Sequence, residues 1–169
     1  MTNGPDNDSS AYLRESQLEA MNIIQNSGMV VTSDIGDLNS IHPPEKIEIG
    51  NRLAYWALNK TYNIKNVVPS GPIVESYNID ENKVEINFKY ASAGFYQFNG
   101  SLKDFEIAGN DGVFYKANAK ISGLKIIVES TDVKEPKMLR YGWKNYFEST
   151  LFNIDKLPAS SFFIRDLSK

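Results

Sequence analysis

The chain has 169 residues, a net charge of −3, 41% hydrophobic and 23% charged residues. That balance supports a packed core and argues against a disordered chain. With 18 basic against 21 acidic side chains there is no cationic excess for a nucleic-acid footprint, and the absence of cysteine excludes disulfides, thiolate metal sites and a Cys nucleophile.

Residues 1–10 are rich in Gly, Pro, Asn, Asp and Ser, a loop composition with neither the basic region nor the apolar stretch of a secretory signal. Residues 11–25 read as a helix in which Leu13, Leu18, Met21 and Ile24 approximate one apolar face, stopped by Asn26-Ser27-Gly28. Met29-Val30-Val31-Thr32 is a short β-rich run. A polar loop follows from Ser33 to Pro43. Pro44 suits the first turn of a second helix, and Glu45 and Glu48 suit the positive end of its dipole. Ile49, Leu53, Trp56 and Ala57 form its apolar stripe, which runs to about Tyr62. Helix, strand, loop and helix in this order are the grammar of an α/β layer. No apolar run is long enough to span a membrane.

The grammar changes after a linker at 63–71. Residues 73–79 and 83–88 read as a hairpin around Asp80-Glu81-Asn82, with period-two alternation in the second strand. Residues 105–108 and 113–115 flank Gly109-Asn110-Asp111-Gly112, and 117–121 and 125–128 flank Ser122-Gly123-Leu124, two further hairpins. Residues 138–143 make another strand. Short strands at this spacing point to an antiparallel β-sandwich. The fold class is therefore α+β: residues 1–66 as a partial α/β layer and residues 67–169 as the sandwich.

Chemistry-bearing residues are few. His42 is the only imidazole, and it sits in a loop where a strand passes into a helix, the place where α/β folds put ligands and catalytic groups. A histidine there can act as a general base if a carboxylate or carbonyl orients its Nδ1. Asp34 and Asp37 are within reach along the chain. The same spacing also fits an exposed histidine before a proline. No Gly-x-Ser-x-Gly elbow marks a nucleophile, and Leu38 stands where a Gly-Asp-Ser block would have its serine. Gly109-Asn110-Asp111-Gly112 lacks the spaced carboxylates of a calcium loop and reads as a turn. The aromatics of Phe95-Tyr96-Gln97-Phe98 and Tyr141-Gly142-Trp143 can either stack on sugar rings or fill the sandwich core. Arg140 beside them can make a cation–π contact or an ion pair between the two halves.

Several segments together resemble one family. They are Leu13-Arg14-Glu15-Ser16-Gln17, the run from Gly28 to Asp37, Ser40-Ile41-His42-Pro43 and Gly50-Asn51-Arg52-Leu53-Ala54. In the second half they are Phe105-Glu106-Ile107-Ala108-Gly109, Arg140-Tyr141-Gly142-Trp143 and Leu157-Pro158-Ala159-Ser160-Ser161-Phe162. In this order they resemble the C-terminal end of the catalytic domain of sialate O-acetylesterases, SGNH-type carbohydrate esterases, and the match covers nearly the whole chain. The resemblance implies a slice of a flavodoxin-like α/β domain followed by the sandwich. It implies hydrolysis of O-acetyl esters on sugars by a Ser–His pair, His42 standing at the position of the family's base. The family's Ser block and oxyanion hole lie upstream and have no match here, so the expectation is a fragment, silent alone and in need of the Ser-bearing half. The family's Asp three residues before the histidine is Asn39 here, and Ser40 stands where relatives often have Asp. The orienting role therefore falls to Asp37, Asp34 or a backbone carbonyl. No metal or organic cofactor is implied, no substrate-binding residue is assigned, and a secreted or periplasmic setting follows by resemblance. Two other readings stay open: an esterase for another acetylated glycan such as xylan, and a non-catalytic sugar-binding or interaction module. A slice of a sheet is also expected to expose apolar faces and to self-associate.

Overall fold

A computed structural model of the chain describes residues 8–40, 42–96 and 100–168. Helix α1 (Ser9–Ile23) starts after Asp8, whose side chain makes no capping bond. The cap comes from far along the chain: Asn145 Oδ1 accepts from the Ser10 backbone N–H at 2.9 Å, satisfying one of the helix's orphan donors. The stop falls where the sequence puts it, with Asn26 in the left-handed region at φ 55°. The buried face of α1 differs from the apolar stripe read in the sequence. Ala11 is buried and Arg14 half-buried, whereas Leu13 and Ile24 are each 60% exposed.

Residues 28–32 run without bend or turn and pair with no strand among the described residues. The β-rich run is thus present as a straight segment, not as part of a sheet. Gly28 is required there, because a Cβ would sit 2.6 Å from the Trp56 ring. Helix α2 (Lys46–Trp56) begins two residues after Pro44 and runs on into a π-helical turn (Ala57–Thr61). Its inward side chains are Trp56, whose indole N–H donates to Met29 O at 2.9 Å, and Arg52.

The remaining chain is antiparallel β structure, so the class is α+β. Its strands are β1 (Ile73–Asp80), β2 (Lys83–Lys89), β3 (Phe95–Tyr96), β4 (Phe105–Ala108), β5 (Phe114–Lys116), β6 (Asn118–Ser122), β7 (Lys125–Glu129), β8 (Met138–Tyr141), β9 (Phe152–Asn153) and β10 (Phe162–Ile164). One sheet has the order β1-β2-β7-β6, a second β10-β8-β4-β5, and β3 pairs with β9. All three hairpins expected from the turns are present: β1–β2 through Glu81 at φ 56°, β4–β5, and β6–β7 through Gly123 at φ 61°. β8 ends earlier than expected because Gly142, at φ 57°, turns the chain.

The two four-stranded sheets share one core. Alternate residues Val84, Ile86 and Phe88 of β2, and Ile126 and Val128 of β7, meet Phe105 and Ile107 of β4 and Leu139 and Tyr141 of β8. This is the inward alternation of a sandwich. The Tyr141 hydroxyl accepts from the backbone N–H groups of Thr150 and Leu151 at 3.0 and 3.1 Å, and burial pushes its pKa up.

The linker is packed rather than free. Asn153, fully buried, donates from Nδ2 to Ser70 O (2.9 Å) and Tyr90 O (2.8 Å) and accepts from Leu157 N–H (3.0 Å). A Cβ on Gly71 would fall 2.0 Å from Pro158 O. Helix α1 is fastened to the second sheet mainly by polar groups. Arg165 holds Glu15 in a two-pronged ion pair, and Tyr12 meets Trp143 edge-on at 5.1 Å between ring centroids. No described helix is long and apolar enough to cross a membrane.

Candidate functional site

The loop that carries His42 is built from short-range turns. Ile35 N–H donates to Thr32 O, and Asp37 Oδ1 accepts from Asn39 N–H at 2.8 Å, an Asx turn. Asp37 bridges to Ser40, and Ser40 Oγ accepts from the His42 backbone N–H at 3.1 Å. These contacts fix the backbone entering His42 and leave its side chain exposed. Among the described residues no carboxylate or hydroxyl reaches the imidazole within hydrogen-bond distance. Ile41 lies outside the described residues.

The base of the loop is clamped by charge. Arg52 NH1 and NH2 donate to the two oxygens of Asp34 at 2.7 and 2.6 Å, NH1 also donates to Val31 O at 2.6 Å, and Nε donates to Glu48 at 3.0 Å. Burial alone would lower the Arg52 pKa, but the hydrogen bonds and charges of Asp34 and Glu48 outweigh it and the net shift is upward. A paired, buried guanidinium of this kind holds geometry more than it adds stability. The structure thus places the three residues singled out in the sequence on one loop but divides them. Asp37 and His42 are on its exposed rim, and Asp34 is turned onto α2.

A cleft of about 240 Å³ opens beneath the loop, lined among others by Arg14, Ser33, Asp37, Ser40, Tyr146 and Ser160. Its far wall comes from the β half. Ser33 Oγ and Ser149 Oγ are 2.5 Å apart, and Ser149 Oγ donates to Ala159 O at 3.2 Å. Ser160 Oγ is buried with no hydrogen-bond partner among the described residues. Arg14 spans the other side, donating from Nε to Ser161 Oγ (2.9 Å) and from NH1 and NH2 to the carbonyls of Asn145, Gly142 and Lys144. All of these acceptors are neutral, and burial lowers its pKa to about 10. Arg14, Ser149 and Ser160 carry no local motif. Arg14 and Ser160 lie in segments quoted for the resemblance and Ser149 lies between two of them, and the more than 100 residues that separate α1 and the Ser33 loop from Ser149 and Ser160 hide these contacts.

Tyr141 and Trp143 take the core reading, whereas Phe95 and Tyr96 are half-buried. Tyr141 is fully buried and Trp143 is 4% exposed, the latter edge-on to Phe163 at 5.0 Å. Arg140 pairs with Glu106 on the neighbouring strand at 2.8 Å and lies 3.9 Å over the Phe114 ring. It therefore ties strands of one sheet together and does not bridge the two halves. Phe98 lies outside the described residues. Among the described residues no three His, Asp or Glu side chains converge as a metal site.

No protein-family model matches the chain, and no curated protein matches it. Among solved structures the chain is similar to a carbohydrate acetylesterase from Xanthomonas citri, with a TM-score of 0.86 and 34% identity over 95% of this chain. The match occupies 38% of that protein's length, so the chain spans well under half of the esterase it resembles.

Proposed function

We propose that this chain is part of a carbohydrate O-acetyl esterase of the sialate O-acetylesterase type. The observation that carries the reading is the likeness to a carbohydrate acetylesterase over 95% of the chain. In this reading residues 1–66 are a slice of an SGNH-type α/β domain and residues 67–169 a sandwich that buttresses it, in a secreted or periplasmic enzyme. His42 is the general base. It takes the proton of a serine hydroxyl as the oxygen attacks the acetyl carbonyl, then returns it to the departing sugar oxygen. Water, deprotonated by the same imidazole, then releases acetate from the acyl-enzyme. Asp37 is the carboxylate on the histidine's own rim and is assigned to orient or stabilise the ring. Asp34 acts through Arg52 as a positioning residue for the loop. The serine is assigned to polypeptide outside these 169 residues, since no Ser motif accompanies the histidine.

The test is acetate release from O-acetylated sialic acid and from acetylated xylan by the purified chain. The reading predicts none from the chain alone. Release that disappears in His42→Ala would contradict the assignment of the nucleophile elsewhere. A preference between the two substrates, measured on the complete enzyme, decides between sialate and plant-glycan specificity.

One observation favours a second reading, a sugar-binding module. A cleft of about 620 Å³ lies against the second sheet, lined by Lys103, Lys116, Arg140, Lys144, Asp104 and Glu106 among others. Such charged pairs can bind hydroxyl groups, but the buried Trp143 gives no exposed stacking face. Glycan titration followed by tryptophan fluorescence tests it, and an unchanged signal counts against binding.

A further inference from the structure

We infer that the cleft against the second sheet binds an acidic oligosaccharide, whose carboxylates meet the cations of the cleft while its hydroxyl groups meet the carboxylates between them. The inference deepens the sugar-binding reading and does not need the esterase reading. A volume of about 620 Å³ is ample for several linked rings. Strand register builds the floor. Glu106 of β4 stands opposite Arg140 of β8 on one side and Lys116 of β5 on the other. Residues opposed in this way share a face, and on β4 that face is the outer one, since Phe105 and Ile107 belong to the core. The row therefore reads cation, carboxylate, cation across three neighbouring strands. Its pairing is incomplete. Arg140 donates from Nε to Glu106 at 2.8 Å, and its NH1 and NH2 have no hydrogen-bond partner among the described residues. Lys116 and, on the wall, Lys103 are exposed and make no ion pair among the described residues. Lys144 is held by Asp104 at 2.6 Å. With Asp8 as the remaining carboxylate, the cleft carries a net positive charge in a chain of net charge −3.

A second observation lies on Trp143, which lines the same cleft. It is buried, and its indole N–H has no hydrogen-bond partner among the described residues. A buried donor without an acceptor is costly and marks a place where an acceptor is missing. These features select the ligand. A neutral sugar leaves the Arg140 fork and the ammonium groups of Lys103 and Lys116 unmatched, and the buried Trp143 offers it no stacking face. A densely charged polymer such as a nucleic acid meets the like charges of Asp8, Asp104 and Glu106. An oligomer of uronic acid rings matches both signs. One of its carboxylates suits the planar fork of Arg140, and its hydroxyl groups donate to Glu106 and Asp104. Lys103 and Lys116 add attraction from solvent, where salt screens it.

The probes are an oligogalacturonate, a neutral xylo-oligosaccharide of the same length and a single-stranded DNA of the same charge, each titrated onto the 169-residue chain by calorimetry. The expected result is binding of the oligogalacturonate at least about tenfold tighter than either of the others, weakening as salt rises. The indole N–H resonances report the site, because the chain has two tryptophans. The Trp143 signal should move on binding, whereas that of Trp56, already bonded to Met29 O, should stay in place. Lys103→Gln combined with Lys116→Gln removes two exposed charges that make no ion pair among the described residues, so the melting temperature should hold while binding weakens at least about tenfold. Lys89→Gln, at an exposed position outside the cleft, should bind as wild type. Equal affinity for the neutral oligosaccharide would overturn the inference and leave the sugar-binding reading standing. Absence of binding to either glycan would overturn both. Equal affinity for the DNA would make the cleft a general polyanion surface and overturn the inference. A Trp143 signal that does not move, or a double lysine variant that binds as wild type, would place the ligand elsewhere and overturn it too.

Discussion

The β half and the helical half of this chain solve the burial problem differently. Of the 22 buried apolar residues among those described, only Ala11 and Trp56 come from the first 66 positions. Nine of the twelve exposed large apolar side chains among the described residues come from there, although that part is the shorter one. The sandwich closes its two inner faces on each other, and its exposed exceptions, Val113, Leu124 and Ile154, lie outside its strands. The helices are held instead by polar fastenings: Asn145 capping α1, Arg14 on three carbonyls, Glu15 on Arg165, and Arg52 on Asp34. Polar contacts of this kind specify where an element sits, whereas the sandwich core supplies the area that drives folding.

That contrast can be broken most directly in the core. Leu139→Ala, at a fully buried position, should cost about 2–5 kcal/mol and lower the denaturant midpoint of the β half. A loss confined to the helices would show that the sandwich is not the stabilising unit. Asp34→Asn should cost about 3 kcal/mol by leaving the Arg52 guanidinium without its bidentate partner. The effect should appear as faster hydrogen exchange across residues 28–40 while the core strands keep their protection. Arg14→Ala, which removes four hydrogen bonds to neutral acceptors, should cost about 1–3 kcal/mol. It should open the α1 end to limited proteolysis before the strands.

The pH dependence sharpens the comparison at the alkaline end. Burial raises the folded-state pKa of Tyr141 above its ordinary value of 10.0. Below that value both states hold the proton and the tyrosine's contribution is constant. As pH rises past it the unfolded state ionises first, so stability should fall toward the folded-state pKa. A urea midpoint that stays flat above pH 10 would contradict the buried environment of this hydroxyl. The smallest effect is expected at the sandwich surface, where Leu124→Ser in the exposed β6–β7 turn should change stability by no more than about 0.5 kcal/mol.

How far the sequence could be read follows the same division. The three hairpins were legible because turn chemistry is local: Asp80-Glu81-Asn82 and Ser122-Gly123-Leu124 carry their own signal. The alternation in β2 named its buried residues correctly. The apolar run at 29–32 shows the limit. Hydrophobic patterning reports that a segment is fit for a sheet, not that its neighbour is present. The stripe of α1 failed for a related reason, since a helix fastened through Arg14 and Glu15 turns polar side chains inward. At the site, the polar loop leading into α2 was legible, but the strand expected before it is a segment unpaired among the described residues. The Arg52 clamp on Asp34, the Ser33–Ser149 contact and the buried Ser160 were not legible, because each depends on packing between distant segments that no spacing encodes.

The most direct test of the central claim is acetate release by the chain assembled with the unmatched portion of the Xanthomonas citri esterase, comparing wild type with His42→Ala. With His42 as general base, the variant should lose at least about 100-fold in rate while the complex still forms. An assembled His42→Ala enzyme that releases acetate at the wild-type rate would contradict the account.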